Sequence, residues 1–243
     1  MTARGGAQDK SRKARISMKS AIIVQARMSS KRFPGKVLTR FAGKELIGYL
    51  LERLEGCRLD SEIVVATSNE ASDDAIDAYC EKKGFHCFRG DLENVALRFL
   101  RLAEARRLDF MTRISADSPL LDPELVERAN AIFLTGEHDI VCNVHPRSFP
   151  RGQSVEVIRT TALKRLLKTC GDAAFLEHVT AYLYAHPETF HIMNFRAPID
   201  ASAEQLSIDT REDGEVFERL LSAMTRPPKT YAWREILEIK RGL

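Results

Sequence analysis

Three short segments, far apart in the chain, carry side chains able to do chemistry. The first runs Gln25-Ala-Arg-Met-Ser-Ser-Lys-Arg-Phe-Pro-Gly-Lys36 and places four cations (Arg27, Lys31, Arg32, Lys36), two serines and Gly35 directly after the apolar run Ala21–Val24. Backbone N–H groups of such a loop, with Arg and Lys heads, can surround phosphate oxygens. Neither G-x-x-x-x-G-K-[ST] nor G-x-G-x-x-G is present, so it is neither a Walker loop nor a dinucleotide turn, and composition alone is equally compatible with a solvated basic loop. The second segment is Arg113-Ile-Ser-Ala-Asp-Ser-Pro119-Leu-Leu-Asp122. Asp117 falls just past an apolar strand, where a carboxylate could hold Mg²⁺ against phosphate oxygens or could simply cap the turn before Pro119. Asp122, followed by Pro123 and Glu124, reads as a helix cap with a first-turn proline and acid. The third is Ser207-Ile-Asp-Thr-Arg-Glu-Asp213, in which Thr210 and Asp213 match a capping box. Asp209 lies one residue before that cap, where capping gives no reason for an acid, and is the candidate second metal ligand.

The elements that must position these segments follow from periodicity. Ala21–Val24, Ile63–Ala66, His86–Phe88 and Asp109–Ile114 read as strands, with helices predicted near 45–56, from Ser72 onward, over 91–107 and from Pro123. Ser72 is the expected cap of the second helix, with Asp73 and Asp74 in its first turn and an apolar stripe of Ala75, Ile76, Tyr79 and Cys80. Such β-α-β-α alternation predicts an α/β fold, a mostly parallel sheet flanked by helices, with ligands bound beyond the carboxyl ends of the strands. Loops 26–36, 67–72 and 115–122 should therefore share one rim. Further strands are expected near 139–142, 153–158 and 190–196, and helices near 160–168, 173–186, 211–224 and 231–241. No repeat or linker interrupts this pattern.

Composition narrows the function classes. Of 37 basic and 34 acidic residues, six basic and one acidic lie in residues 1–19, which leaves the remainder with 31 basic against 33 acidic side chains. A globular body without positive excess makes nucleic acid an unlikely partner. Residues 1–18 are polar and basic and are expected to form a disordered tail, with 19–243 a single domain. No run reaches the roughly 18 apolar residues of a membrane helix, and five scattered cysteines without a C-x-x-C read as reduced thiols, so a cytoplasmic location and no membrane contact are expected.

At these three segments together the sequence resembles the cytidylyltransferases that activate acidic sugars as CMP conjugates, the CMP-Kdo and CMP-sialic acid synthetases among them. It is most similar to the spore-coat polysaccharide biosynthesis branch, whose signature is I-Q-A-R-x-x-S-x-R-x-P-G-K-x-L. Here that stretch reads Ile23-Val-Gln-Ala-Arg-Met-Ser-Ser-Lys-Arg-Phe-Pro-Gly-Lys-Val-Leu38. The likeness continues through Glu62–Thr67, Phe88–Gly90, Arg113–Pro123, Glu177–Thr180 and Ile208–Thr210 and covers about residues 19–225. It implies a nucleotide-diphospho-sugar transferase fold of the glycosyltransferase-A type, and Mg²⁺-dependent transfer of CMP from CTP to a sugar hydroxyl with release of pyrophosphate. It further implies that Arg27 and Lys36 bind the triphosphate, that Asp117 and Asp209 hold the metal, and that Ala26, Thr67 and Ser115 frame the nucleotide. A homodimer is likewise expected from the family alone.

Two departures from the family pattern matter, one at the nucleotide and one on the acceptor side. The family's T-G-D-C-P is here Ser115-Ala-Asp-Ser-Pro119, so Ala116 stands where a glycine would let backbone approach the nucleotide. Pro150-Arg-Gly-Gln-Ser-Val-Glu156 replaces the commoner P-D-G-L-D-V-E, which puts Arg151 and Ser154 where acids are usual. If this segment lines the acceptor pocket, the lost negative charge favours an anionic or differently substituted sugar. Arg151, Ser154, Glu156 and His178 are thus the acceptor-side candidates, His178 being equally compatible with a core or interface role. Two other readings stay open, a glycosyltransferase using a nucleotide sugar and a non-catalytic nucleotide- or sugar-binding homologue. The absence of any D-x-D counts against the glycosyltransferase.

Overall fold

Ala21, Ile22, Ile23 and Val24 are all buried, as an unbroken apolar strand must be when both faces of its sheet are covered. The computed structural model describes residues 18–172, 175–176 and 179–243, and within them this strand, β1 (Ser20–Gln25), is central. A small antiparallel hairpin follows, β2 (Arg40–Phe41) and β3 (Lys44–Glu45). The remaining strands are β4 (Glu62–Ser68), β5 (His86–Gly90), β6 (Phe110–Ser115), β7 (Ile140–Cys142), β8 (Glu156–Arg159) and β9 (Ile192–Asn194). Seven of them form one sheet in the order β5-β4-β1-β6-β8-β7-β9. Only β8 runs against its neighbours β6 and β7; every other pairing in that sheet is parallel.

Alternation along β1 divides its side chains between two cores. Ile22 and Val24 join helices α1 (Leu46–Leu54), α2 (Asp74–Lys83) and α4 (Pro123–Thr135) and the C-terminal helices α7 (Arg211–Ala223) and α8 (Trp233–Arg241) on one face. Ala21 and Ile23 meet α3 (Val95–Arg106), α5 (Thr160–Thr169) and α6 (Ala181–Ala185) on the other. The expected α/β class with helices on both faces is what the structure has. From β1 the chain passes to β4 on one side and later to β6 on the other, so a crevice opens between the carboxyl ends of β1 and β6.

Local signals behave as their chemistry requires at most boundaries. The Asp122 carboxylate accepts from Glu124 N–H and caps α4, with Pro123 in its first turn. Thr210 and Asp213 form the reciprocal capping box of α7. At α2 the expectation fails, because Ser72 lies in a 3-10 turn (Ala71–Asp73) and makes no cap. The third helix starts at Val95 and not 91, since Asp91 accepts from the N–H groups of Glu93 and Asn94 and the Asn94 side chain then caps the helix. The strands expected over 153–158 and 190–196 shorten to β8 and β9. The predicted basic tail and part of the helix expected over 173–186 lie outside the described residues. All five cysteines are free thiols, and among the described residues no helix is long and apolar enough to cross a membrane.

Arg53, only 2% exposed, ties the two ends of the apolar layer together. Its guanidinium donates to the carbonyls of Leu121 (2.6 Å) and Tyr231 (2.7 Å) and to that of Pro228, so α1 holds both the loop before α4 and the segment entering α8. Burial pulls this group down to about 10, against the opposing field of Asp122, and it remains charged at neutral pH. Arg53→Met should remove three donors from buried carbonyls and cost about 3 kcal/mol of stability, read by urea denaturation.

Candidate active site

The basic loop leaves β1 at Gln25 and is folded back by a few specific contacts. Ala26 N–H bonds to Ala66 O (3.1 Å), which keeps the chain beside β4 for one more residue. Gly35 N–H closes the loop onto Met28 O (2.9 Å), and Gly35 adopts φ +73°, a conformation only glycine takes without strain. Phe33 is buried at the loop's tip, with the Arg211 guanidinium 5.2 Å over its ring. Lys36 follows in a 3-10 turn (Lys36–Leu38), its head directed back beneath the loop.

That head is the centre of the site. Lys36 Nζ lies 3.0 Å from Asp117 Oδ2, 3.1 Å from Asp209 Oδ1 and 2.7 Å from Ile208 O. The Lys36 side chain is 9% exposed and each aspartate 24%, so the cluster lies half under the surface, where water screens it poorly. Arg32 adds a second cation to Asp209 at 3.1 Å from its own, more exposed position. The two aspartates are locked in register by backbone, Ile208 N–H donating to Asp117 O (2.8 Å). The Asp213 carboxylate accepts from Asp209 N–H (2.8 Å) as well as from Thr210 N–H, so the capping box also fixes the metal-ligand candidate beside it.

Around this cluster opens a cleft of about 470 Å³, at the β1/β6 switch point, into which Gln25, Ala26, Arg27, Arg113, Ser115 and Ala116 also reach. Lys31 and Arg32 complete its cationic wall. Arg27, Lys36, Asp117, Asp209, Ala26 and Ser115, proposed from sequence, are therefore brought together. Thr67 is not: β4 extends through Ser68, which leaves Thr67 inside the strand, wholly buried and away from the cleft. Arg151 and Ser154 do not line the cleft either. Arg151 pairs by backbone with Glu204 and Leu206, and the Ser154 hydroxyl accepts from Arg147 (3.0 Å). Gly152 has φ +91°, and a Cβ there would fall 2.5 Å from Ser207 N, so this segment packs backbone-to-backbone on the extended segment leading to Asp209. Gln153 is wholly buried and bridges Leu120 O (2.8 Å) and Asp122 N–H (2.9 Å). His178 lies outside the described residues.

Glu156 reaches the cleft through another residue. Its carboxylate, 4% exposed, binds Arg113 and accepts from Tyr184 OH (2.5 Å), and Arg113 Nε donates to Gln25 Oε1 (3.0 Å). Burial, reinforced by Glu156, pushes the Tyr184 phenol well above its usual range and keeps it a donor. Arg113 and Gln25 lacked any role in the sequence argument; the signal available was their placement on adjacent parallel strands, Gln25 at the carboxyl end of β1 and Arg113 two residues before that of β6. Asp73 was also missed. It looks like a first-turn acid, but its carboxylate accepts from Met28 N–H (2.7 Å) and from Ser68 N–H and Oγ, stapling the basic loop to β4.

Asp117 and Asp209 bring two carboxylates, hard oxygen donors, to one point, where they meet Lys36. Among the described residues no group of three or more His, Cys, Asp or Glu side chains could hold a metal. A cation held by these two carboxylates must draw its other ligands from water and phosphate oxygens, which is how Mg²⁺ is usually bound.

A sequence model of the family described as "Cytidylyltransferase" matches residues 21–238. The chain belongs to the cytidylyltransferase family. Among relatives of this nucleotidyltransferase, the spore coat polysaccharide biosynthesis protein SpsF of Bacillus subtilis is 32% identical over 229 residues, 90% of this chain and 93% of SpsF. A solved cytidylyltransferase from Leptospira borgpetersenii superposes with a TM-score of 0.88 at 29% identity, covering 93% of this chain and 94% of that one. The structure of CMP:2-keto-3-deoxy-manno-octonic acid synthetase complexed with CTP shares the fold, with a TM-score of 0.65 at 18% identity over 84% of this chain and 98% of that one.

Burial opposes the charge of Asp73, yet the hydrogen bonds from Met28 and Ser68 hold its carboxyl below the ordinary value of 3.8. A carboxyl lowered by folding contributes stability above its unfolded value and loses it as pH falls through the folded one. Asp73→Asn should therefore be less stable than the parent at pH 7, with the gap closing in urea melts run below pH 3.8.

Proposed function

We propose that this cytidylyltransferase binds CTP with Mg²⁺ in the β1/β6 cleft and transfers CMP to a sugar hydroxyl, releasing pyrophosphate. The observation that carries the reading is the convergence of the cationic loop and two carboxylates on one hollow, through Lys36. Support for CTP comes from the fold shared with a synthetase described as complexed with CTP, and support for a role in surface polysaccharide assembly from SpsF.

In this reading Ala26 and Ser115, at the ends of β1 and β6, frame the nucleotide. Arg27 and Lys36, helped by Lys31 and Arg32, bind the triphosphate and stabilise charge that grows on the α-phosphate and the leaving pyrophosphate. The acceptor oxygen forms a bond to the α-phosphorus as the bond to the bridging oxygen breaks; the hydroxyl proton passes to solvent water and the electron pair leaves on pyrophosphate. Asp117 and Asp209 would hold the metal, which when bound supplies Lewis-acid stabilisation of phosphate charge and of the attacking oxygen. Catalysis of this kind is mostly positioning and electrostatics, which a preformed ionic cluster suits. Arg113, held by Gln25 and Glu156, contributes a fixed donor on the β6 side. Arg151 and Ser154 belong to the acceptor side only if the sugar extends beyond the cleft.

The deciding experiment incubates the protein with CTP, Mg²⁺ and a panel of neutral and acidic sugars while pyrophosphate is followed. Release that requires an acceptor supports the proposal. Consumption of a nucleotide sugar without pyrophosphate would indicate a glycosyltransferase, and nucleotide binding without turnover a non-catalytic homologue. With the productive acceptor, Asp117→Asn and Asp209→Asn should each lower turnover by about 10²-fold or more, and near-parental rates in either would remove that residue from the metal site.

A further inference from the structure

The place a dication would need is taken by the chain's own cation. The oxygens of Asp117 and Asp209 that converge do so on Lys36 Nζ, at 3.0 and 3.1 Å, with the Ile208 carbonyl as a third ligand at 2.7 Å. Two cations cannot share these oxygens without repelling each other, so occupation by one weakens occupation by the other. Arg32 does not replace Lys36 in this respect, because it reaches Asp209 alone and its side chain is 66% exposed.

The local build allows the ammonium to leave while the backbone stays. The Lys36 backbone is fixed by the Gly35 turn, by Lys36 N–H to Phe33 O (3.2 Å) and by Thr39 N–H to Lys36 O (3.1 Å). Its four-carbon stem ends in a compact point charge that can rotate between neighbouring acceptors, unlike a planar guanidinium. Beside it lies the cleft wall of Arg27, Lys31 and Arg32, where phosphate oxygens would gather.

We propose that Lys36 is an exchangeable counter-ion that couples metal loading to nucleotide loading. This rests on the nucleotidyl-transfer reading above. In the free chain Lys36 offsets part of the charge of the aspartate pair, with Arg32 also on Asp209, and keeps divalent cations weakly bound. An entering triphosphate offers Lys36 a denser anion, the ammonium moves to it, and the pair becomes available to the metal that arrives with the nucleotide. By linkage the effect is reciprocal, so metal on the aspartates strengthens the hold of Lys36 on phosphate.

The test is Mn²⁺ titration of the nucleotide-free protein, read from the free-ion electron paramagnetic resonance signal. Lys36→Met and Lys36→Gln should bind Mn²⁺ about tenfold or more tightly than the parent. Adding Asp117→Asn to Lys36→Met should return binding to the parental level. Mn²⁺ should also raise the melting temperature of Lys36→Met well beyond its effect on the parent, because metal then replaces the missing ammonium; a marginally folded variant still reports by this route. Equal Mn²⁺ affinity in the parent and both variants, or no extra thermal protection of Lys36→Met, overturns the proposal. Failure of the CTP-and-acceptor assay alone would overturn the nucleotidyl-transfer reading and leave the Mn²⁺ comparison intact, so the two are judged separately.

Discussion

The active-site architecture depends on keeping two carboxylates a few ångströms apart at the mouth of a sheet. Like charges so placed repel, and partial burial removes the water that would screen them, so the arrangement stands only with a cation between them. Lys36 supplies it across sequence separations of 81 residues to Asp117 and 173 to Asp209. Much of the surrounding structure serves that one contact. The left-handed Gly35 turns the chain so that Lys36 enters from beneath its own loop. Ile208 N–H to Asp117 O sets the spacing of the two acids, and Asp213 holds the backbone N–H of Asp209. Gly152 lets a further backbone segment press against residues 206–207, just before Asp209.

What was legible in the sequence was whatever has a local cause. An apolar run followed by cations, an acid one position before a capping box, and Asp-Pro-Glu at a helix start are all explained by residues within four positions of one another. The groups that were not legible act across the fold. Asp73 had a sufficient local explanation as a first-turn acid, which hid its bonds to Met28, 45 residues away. Arg113, Gln25, Glu156 and Tyr184 meet only because β1, β6 and β8 adjoin in the sheet, an order that periodicity does not reveal. Thr67 lies off the cleft for a smaller reason: β4 runs two residues beyond the expected end at Ala66, which puts the Thr67 side chain in the core.

The departing segment Pro150–Glu156 shows the same division in another form. Read as composition, the change from acids to Arg151 and Ser154 concerned a ligand. In the fold, Gln153 fills a buried polar position between Leu120 and Asp122, and the loop's backbone, not its charge, touches the segment leading to Asp209. A buried amide satisfied at both ends specifies a loop position more tightly than an apolar residue of the same size would. Charge altered at the outer residues of this loop therefore leaves the aspartate geometry undisturbed, which frees those positions to vary.

The cleft's positive character is smaller than its composition suggests, and unevenly distributed. Five cations line it, but Arg113 is matched by Glu156, and Lys36 is more than matched by Asp117 and Asp209. Five cations against three carboxylates leave two positive charges, and they belong in effect to Arg27, Lys31 and Arg32 on the loop. Arg113 is thus a donor of fixed direction and little net charge, whereas Lys31 and Arg32 are more exposed, Arg32 still reaching Asp209 at 3.1 Å. Under the proposed nucleotidyl transfer, such a division would suit holding one phosphorus still: the pinned donor needs no reorganisation during the step, while Lys31 and Arg32 stay exposed at the rim of the cleft.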